Sequence, residues 1–223
     1  MQIDEGDFKD YVVNKPWGYE YLAYQNDNLA IWVLHIDCDQ STSLHCHTKK
    51  LTGLICLEGE VQVSFINNSQ IIKSMDKVMI RPTLFHSSKS LSQKGSVIIE
   101  IETPVDKDDL VRLKDFYGRE NKSYESKDKY RVRNSNDVWI SENTDCKISD
   151  VKFKVVEINS KEDLLQYHDS IFVVLDGVFL NERDGRRQEV IPSGACLYSS
   201  VYQEIIPSIT SIENCKVLIL EKE

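Results

Sequence analysis

His45-Cys46-His47, with His86 thirty-nine residues further on, is the arrangement in this chain best suited to chemistry. On an extended strand, side chains at i and i+2 point to one face. His45 and His47 therefore present two imidazoles together, and His86 from a neighbouring strand would complete a three-histidine metal site. Such a site suits a divalent ion of the Zn, Fe, Ni or Mn group and leaves coordination positions open for a substrate. Cys46, between the two, should face the other way and pack in the core. Of the other two histidines, His35 on IWVLHID reads as a core or edge residue. His168 falls in KEDLLQYH, a helix or loop.

The elements that must position these residues read as strands. Short, β-branched apolar runs recur at Ala30–Ile36, Leu54–Leu57, Val61–Ile66, Lys77–Ile80 and Ser96–Ile101. Asn67-Asn68-Ser69 has the composition of a hairpin turn between two of them. One helix is predicted, over Asp106–Tyr117 (DKDDLVRLKDFY), with aspartates at its start and Gly118 as its stop. The polar, lysine-rich Arg119–Asn136 reads as a linker.

Beyond the linker the pattern returns. Ile171–Gly177 (IFVVLDG) echoes Thr52–Gly59 (TGLICLEG), and Lys216–Glu221 echoes Ser96–Glu102. Gly59 to Val97 spans 38 residues and Gly177 to Val217 spans 40. Two copies of one all-β unit account for the length, over 1–125 and 126–223. The second copy has no HxH, so the metal site belongs to the first.

The chain is acidic, with 36 Asp+Glu against 27 Lys+Arg, and has no long basic run, which argues against a nucleic-acid partner. No stretch approaches the roughly twenty apolar residues that span a bilayer, and the first residues lack the apolar core of a signal peptide. The six cysteines show no CxxC pair and read as reduced thiols. A soluble, cytoplasmic protein with no membrane partner is expected.

The motifs in the first half resemble those of the cupin superfamily. The first cupin motif, HxH followed by Glu and then Gly, reads here His45-Cys-His47 through Gly59. The second, Gly-Asp, Pro and then His, reads Met75-Asp76 through Pro82 to His86. The resemblance implies two antiparallel β-barrels, a bicupin, with a degenerate second barrel and a short helix between them. Asn14-Lys-Pro-Trp-Gly-Tyr-Glu20 and the run Glu102–Arg119 are similar to segments of the type II mannose-6-phosphate isomerase-like cupins of surface-polysaccharide biosynthesis. Two departures stand out. Thr52 occupies the place of the family's ligand glutamate, and Glu100 or Glu102 could supply that ligand instead. Thr83 stands where the motif has glycine, in a turn expected not to need positive φ.

The resemblance implies a metal-dependent isomerase or epimerase acting on a sugar or sugar phosphate. In such a site Glu100 and Glu102 are the candidate bases. Lys49, Lys50 and Arg81, next to the ligands in sequence, are candidates to hold a phosphate or carboxylate. Trp17 and Tyr19 are candidates for a stacking wall against the sugar, the alternative being packing at the barrel edge. Arg112 and Arg119 would pin the helix to the barrel. Three histidines with open positions also suit a non-haem iron dioxygenase, and Thr52 suits a non-catalytic sugar-binding cupin. Exposed strand edges predict pairing, either as a homodimer or internally between the two barrels.

Overall fold

The computed structural model describes residues 5–106, 108–118 and 129–223. The chain forms two compact units, one of 1–25 with 30–139 and one of 26–29 with 140–223. The first unit therefore runs past the boundary expected at 125.

Among the described residues of the first unit the strands follow in the order β1 (Tyr11–Lys15), β2 (Gly18–Gln25), β3 (Ala30–Ile36), β4 (Leu44–Cys46), β5 (Leu51–Glu58) and β6 (Glu60–Phe65). Then come β7 (Ser69–Lys73), β8 (Lys77–Ile80), β9 (His86–Ser90), β10 (Ser96–Thr103), β11 (Val111–Lys114) and β12 (Tyr130–Val132). They make two antiparallel sheets, ordered β12-β1-β2-β3-β10-β5-β8 and β11-β4-β9-β6-β7. The apolar runs are the strands, and Asn67-Asn68 turns β6 into β7 with Ser64 opposite Ser69. Burial of Leu22, Trp32, Leu34, Leu54, Cys56, Val61, Val63 and Ile98 in one cluster makes the core.

The period-two alternation fixes what faces this interior. Val13, Leu22, Trp32, Leu34 and Ile98 point in, so Lys15, Glu20, Glu100 and Glu102, an even number of residues away on the same strands, point in with them. Tyr19, Tyr21 and His35 take the opposite face.

The helix expected over 106–117 does not form. Val111–Lys114 is a strand, paired with β4 so that Val111 meets Cys46 and Arg112 meets His45. VRLK alternates, with Arg112 half-buried while Val111 and Leu113 are exposed, and this pairing overrides the helical propensity of the segment. Asp109 is not a helix cap but a loop organiser, as shown below. Of the expected linker, Arg131 lies in β12, which pairs with β1. Residues 119–128, Arg119 among them, lie outside the described residues.

The second unit is also all-β and antiparallel: β13 (Cys146–Ile148), β14 (Val151–Ile158), β15 (Ile171–Arg183), β16 (Arg186–Ile191), β17 (Cys196–Tyr198) and β18 (Ser211–Lys222). They form one six-stranded sheet. A short α-helix, α1 (Ser199–Ile205), follows β17. The sequence echo is a structural one: β15 pairs with β18 at Val173–Leu218, as β5 pairs with β10 at Ile55–Ile99. Gly59 and Gly177, which end the echoed runs, both take positive φ, at +82° and +77°. Phe172, Phe179, Tyr202, Val217 and Ile219 fill a core of its own.

Candidate metal centre

His45 and His86 stand directly opposite one another where β4 pairs with β9. His47 follows at the end of β4, and the three rings cluster with centroids 4.5 Å (His45–His86), 5.1 Å (His45–His47) and 5.7 Å (His47–His86) apart. Glu100 reaches the same point from β10. One ligand atom from each of His45, His47, His86 and Glu100 lies within 4.8 Å of the others. No other cluster of this kind occurs among the described residues.

The tautomers follow from the hydrogen bonds. Each Nδ1 faces a backbone carbonyl oxygen: His45 that of Ser43 at 2.8 Å, His47 that of Asp109 at 2.5 Å, and His86 that of Leu84 at 3.0 Å. A carbonyl oxygen only accepts, so each Nδ1 carries a proton and Nε2 is the nitrogen left to ligate. Nε2 of His47 and of His86 are buried and make no hydrogen bond. Buried polar atoms with no partner are rare, and their convergence on one point with a carboxylate is the donor set of a divalent-metal centre. The residues fit such an ion.

The electrostatics agree. Burial, reinforced by the other two histidines, holds His45 well below its ordinary value, and burial also lowers His86. Both are therefore neutral imidazoles, as a ligand must be. Burial pushes His47 down too, but the Glu100 and Glu102 carboxylates outweigh it and raise the ring. Burial pushes the Glu100 carboxyl up, and the surrounding histidines outweigh it and hold it below the usual carboxylate range.

A pocket opens beside the cluster, lined by Lys15, Trp17, Glu20, Glu102, Lys50 and Arg112 among others. Two buried ion pairs stand in its wall. Lys50 Nζ is 2.9 Å from Glu102 Oε1, and Lys15 Nζ is 3.3 Å from Glu20 Oε1. Glu102 Oε1 is also 3.9 Å from His47 Nε2, against 3.7 Å for Glu100 Oε1. Register explains Glu102, which pairs across from Thr52 on β5.

Several expectations from sequence are corrected. Lys49 is exposed and paired with Asp106 at 3.0 Å, and Arg81 is exposed, so neither lines the pocket. Tyr19 points away from it and stacks on His35, centroids 4.2 Å apart, with the Arg131 guanidinium 5.3 Å from its ring. Trp17 sits in the turn between β1 and β2, before Gly18 at φ +138°, so the alternation of β2 does not govern it, and it does line the pocket. Thr83 takes φ +67°, and Met75, where the motif has its other glycine, takes φ +68°. The turn needs the left-handed conformation after all, and there the Thr83 N–H donates to the His47 carbonyl at 2.6 Å.

Sequence reasoning missed Lys15, Glu20 and Asp109, and assigned Arg112 to a helix. Asp109 accepts from the Thr48, Lys49 and Lys50 N–H groups and from the Thr48 hydroxyl, at 2.6–3.1 Å, while its own carbonyl holds His47. The signal for Lys15 and Glu20 was their i, i+5 placement around Pro-Trp-Gly, which is weak without a fold.

The two antiparallel sheets of the first unit share one core, the all-β arrangement expected from the sequence. No family model matches the chain. No curated protein matches it either. Among solved structures it is similar to KdgF from Halomonas sp., at 14% identity and a TM-score of 0.42 over 48% of this chain and 96% of that one. An RmlC-like cupin from Shewanella frigidimarina gives 16% identity and a TM-score of 0.41 over 48% and 95%. A putative sugar phosphate isomerase from Acidithiobacillus ferrooxidans gives 18% and 0.36 over 41% and 63%. None of the three reaches a TM-score of 0.5. No helix among the described residues is long and apolar enough to cross a membrane.

Proposed function

We propose that the first unit is a metal-dependent isomerase or epimerase acting on a sugar or sugar phosphate, with His45, His47, His86 and Glu100 as metal ligands. The observation that carries this reading is the convergence of that donor set with a buried carboxylate, Glu102, in one pocket. Glu100 takes the role the motif gives to position 52, one strand over. A bound divalent ion would supply Lewis-acid polarisation of a substrate carbonyl or hydroxyl oxygen.

Glu102 is the base. It takes the proton from the carbon beside the substrate carbonyl and returns it to the carbonyl carbon, while the neighbouring hydroxyl proton passes to the carbonyl oxygen. Lys50 fixes the carboxylate by its 2.9 Å hydrogen bond, so the base needs little reorganisation as the reaction proceeds. Trp17 offers an apolar wall for a sugar ring. Asp109 acts through the backbone, holding the Thr48–Lys50 loop and the His47 ring in place.

The test is an isomerisation assay on a panel of hexose and heptose phosphates, with the protein loaded in turn with Zn, Mn, Ni and Fe. Turnover lost in Glu102→Gln supports the reading. No turnover with any of the four overturns it, and iron- and substrate-dependent oxygen consumption would replace it with a dioxygenase.

A further inference from the structure

We infer that Lys15 and Arg112 form an oxyanion-binding subsite in the metal pocket, so that the substrate carries a carboxylate or phosphate near its reacting carbon. The inference rests on the proposed metal centre and names the substrate class it would serve.

The first observation is position. Lys15 ends β1 and Arg112 lies on β11, on different sheets, yet both line the pocket that holds His45 and His47. Arg112 pairs across from His45, so its guanidinium enters beside a ligand. Lys15 is buried, with its side chain 4% exposed. Desolvating an ammonium is expensive, and a buried pair such as Lys15–Glu20 is weak evidence of stabilisation, since apolar residues of similar volume would often serve as well. A role in binding gives a reason for the charges to be there.

The second observation is charge. The pocket is lined by three cations, Lys15, Lys50 and Arg112, and three carboxylates, Glu20, Glu100 and Glu102. Those six charges cancel, and a divalent ion held by the ligands would bring the site to two positive charges. A low-dielectric pocket with that excess favours an anionic guest.

The third is size. About 60 Å³ is open to the centres of water molecules, room for roughly four to six waters at about 10–15 Å³ each. An oxyanion and the carbon beside it fit, with the rest of the molecule extending outward.

The experiment is calorimetric titration of the zinc-loaded protein with inorganic phosphate, acetate and, as a neutral control, glycerol. The variants are Arg112→Gln, Arg112→Lys and the double substitution Lys15→Gln/Glu20→Gln, which removes both members of that ion pair. Zinc content and melting temperature are measured on each, so that a folding defect is seen as such. The expected result is binding of one oxyanion and not of glycerol, weakened about tenfold or more by Arg112→Gln and by the double variant, in line with loss of a charge-assisted hydrogen bond. Arg112→Lys should recover part of it. Preference for phosphate points to a phosphate ester, and preference for acetate to a sugar acid. An anion that binds zinc-loaded wild type and Arg112→Gln equally is held by the metal alone and overturns the subsite, as does a loaded wild type that binds none. Failure to load zinc at all overturns the metal centre and the subsite together, which separates the two failures.

Discussion

Nζ of Lys50 lies 2.9 Å from Oε1 of Glu102, and the two side chains are only 1% and 4% exposed. Lys50 immediately precedes β5, and Glu102 is held on β10 opposite Thr52. The strand pairing thus brings a full charge pair into the wall of the metal pocket. Removing one partner leaves the other buried and uncompensated. Lys50→Met should lower the stability by about 3–5 kcal/mol, whereas Lys50→Met/Glu102→Leu should cost far less. Urea unfolding of the three proteins checks this, and equal losses in both variants would show that the pair is not acting as a buried ion pair.

Metal content gives the most direct test of the centre. Protein purified without added metal should contain about one equivalent of Zn, Fe, Ni or Mn by elemental analysis, and His47→Ala and His86→Ala should contain almost none. Stripping the ion with a chelator should lower the melting temperature. The ion contributes about 4 kcal/mol when its concentration is a thousandfold above Kd. A chelator that leaves melting unchanged would argue that the histidines are structural.

Metal uptake should release a proton. In the ion-free protein the Glu100 and Glu102 carboxylates raise His47 above its ordinary 6.5 despite its burial, while the ligating form of the ring is neutral. Affinity for zinc should therefore fall as pH drops through that raised value and level off above it. The proton-stabilised ion-free fold follows the opposite sign, since a raised value contributes stability at low pH that is lost as pH rises through it. Glu100→Gln removes part of the cause and should move the affinity profile to lower pH. Zinc titrations across pH 5–8 in both proteins, a window set by the ordinary histidine value of about 6.5, decide it.

Asp109 should make the ligand loop acid-sensitive. Burial raises its carboxyl, but the Thr48 hydroxyl and the N–H groups of Thr48, Lys49 and Lys50 outweigh this and hold it below the usual carboxylate range. A depressed value contributes stability that is complete above the unfolded value of about 4 and is lost as pH falls below it. The stability gap between wild type and Asp109→Asn should therefore be widest near neutral pH and close in acid. A gap that does not narrow between about pH 6 and pH 3 would contradict this assignment.

Thr83→Gly should stabilise the protein. A β-branched residue at φ +67° is strained, by roughly 1–2 kcal/mol, and glycine removes the clash while allowing the unfolded chain more freedom. A net gain of about 1 kcal/mol is expected in thermal or urea unfolding, with zinc content unchanged because glycine keeps the backbone N–H that donates to the His47 carbonyl.

The strands and the ligand triad were legible because they rest on local periodicity. Ala30–Ile36 is a strand residue for residue, and the HxH spacing alone put His45 and His47 on one face. The helix at 106–117 failed for a non-local reason: VRLK has helical propensity, but pairing with β4 at Cys46 and His45 decided its state. Alternation puts Glu100 and Glu102 on one face of β10, but both faces of the strand are largely buried, so the sequence could not say that this more polar face is the one turned to the histidines.

The sequence by itself determined an all-β chain, two echoing units and three histidines able to share an ion, since each follows from a period of two residues or a repeat of about forty. Tertiary structure decided the rest. Sheet register set Glu100 among the histidines and Glu102 against Lys50, and folding of distant segments brought Lys15, Arg112 and Asp109 to the site. Lys50 and Glu102 are 52 positions apart and His47 and Asp109 are 62 apart, and such contacts depend on which strand lies next to which. No local pattern encodes that neighbourhood, because it is fixed only when the whole core packs.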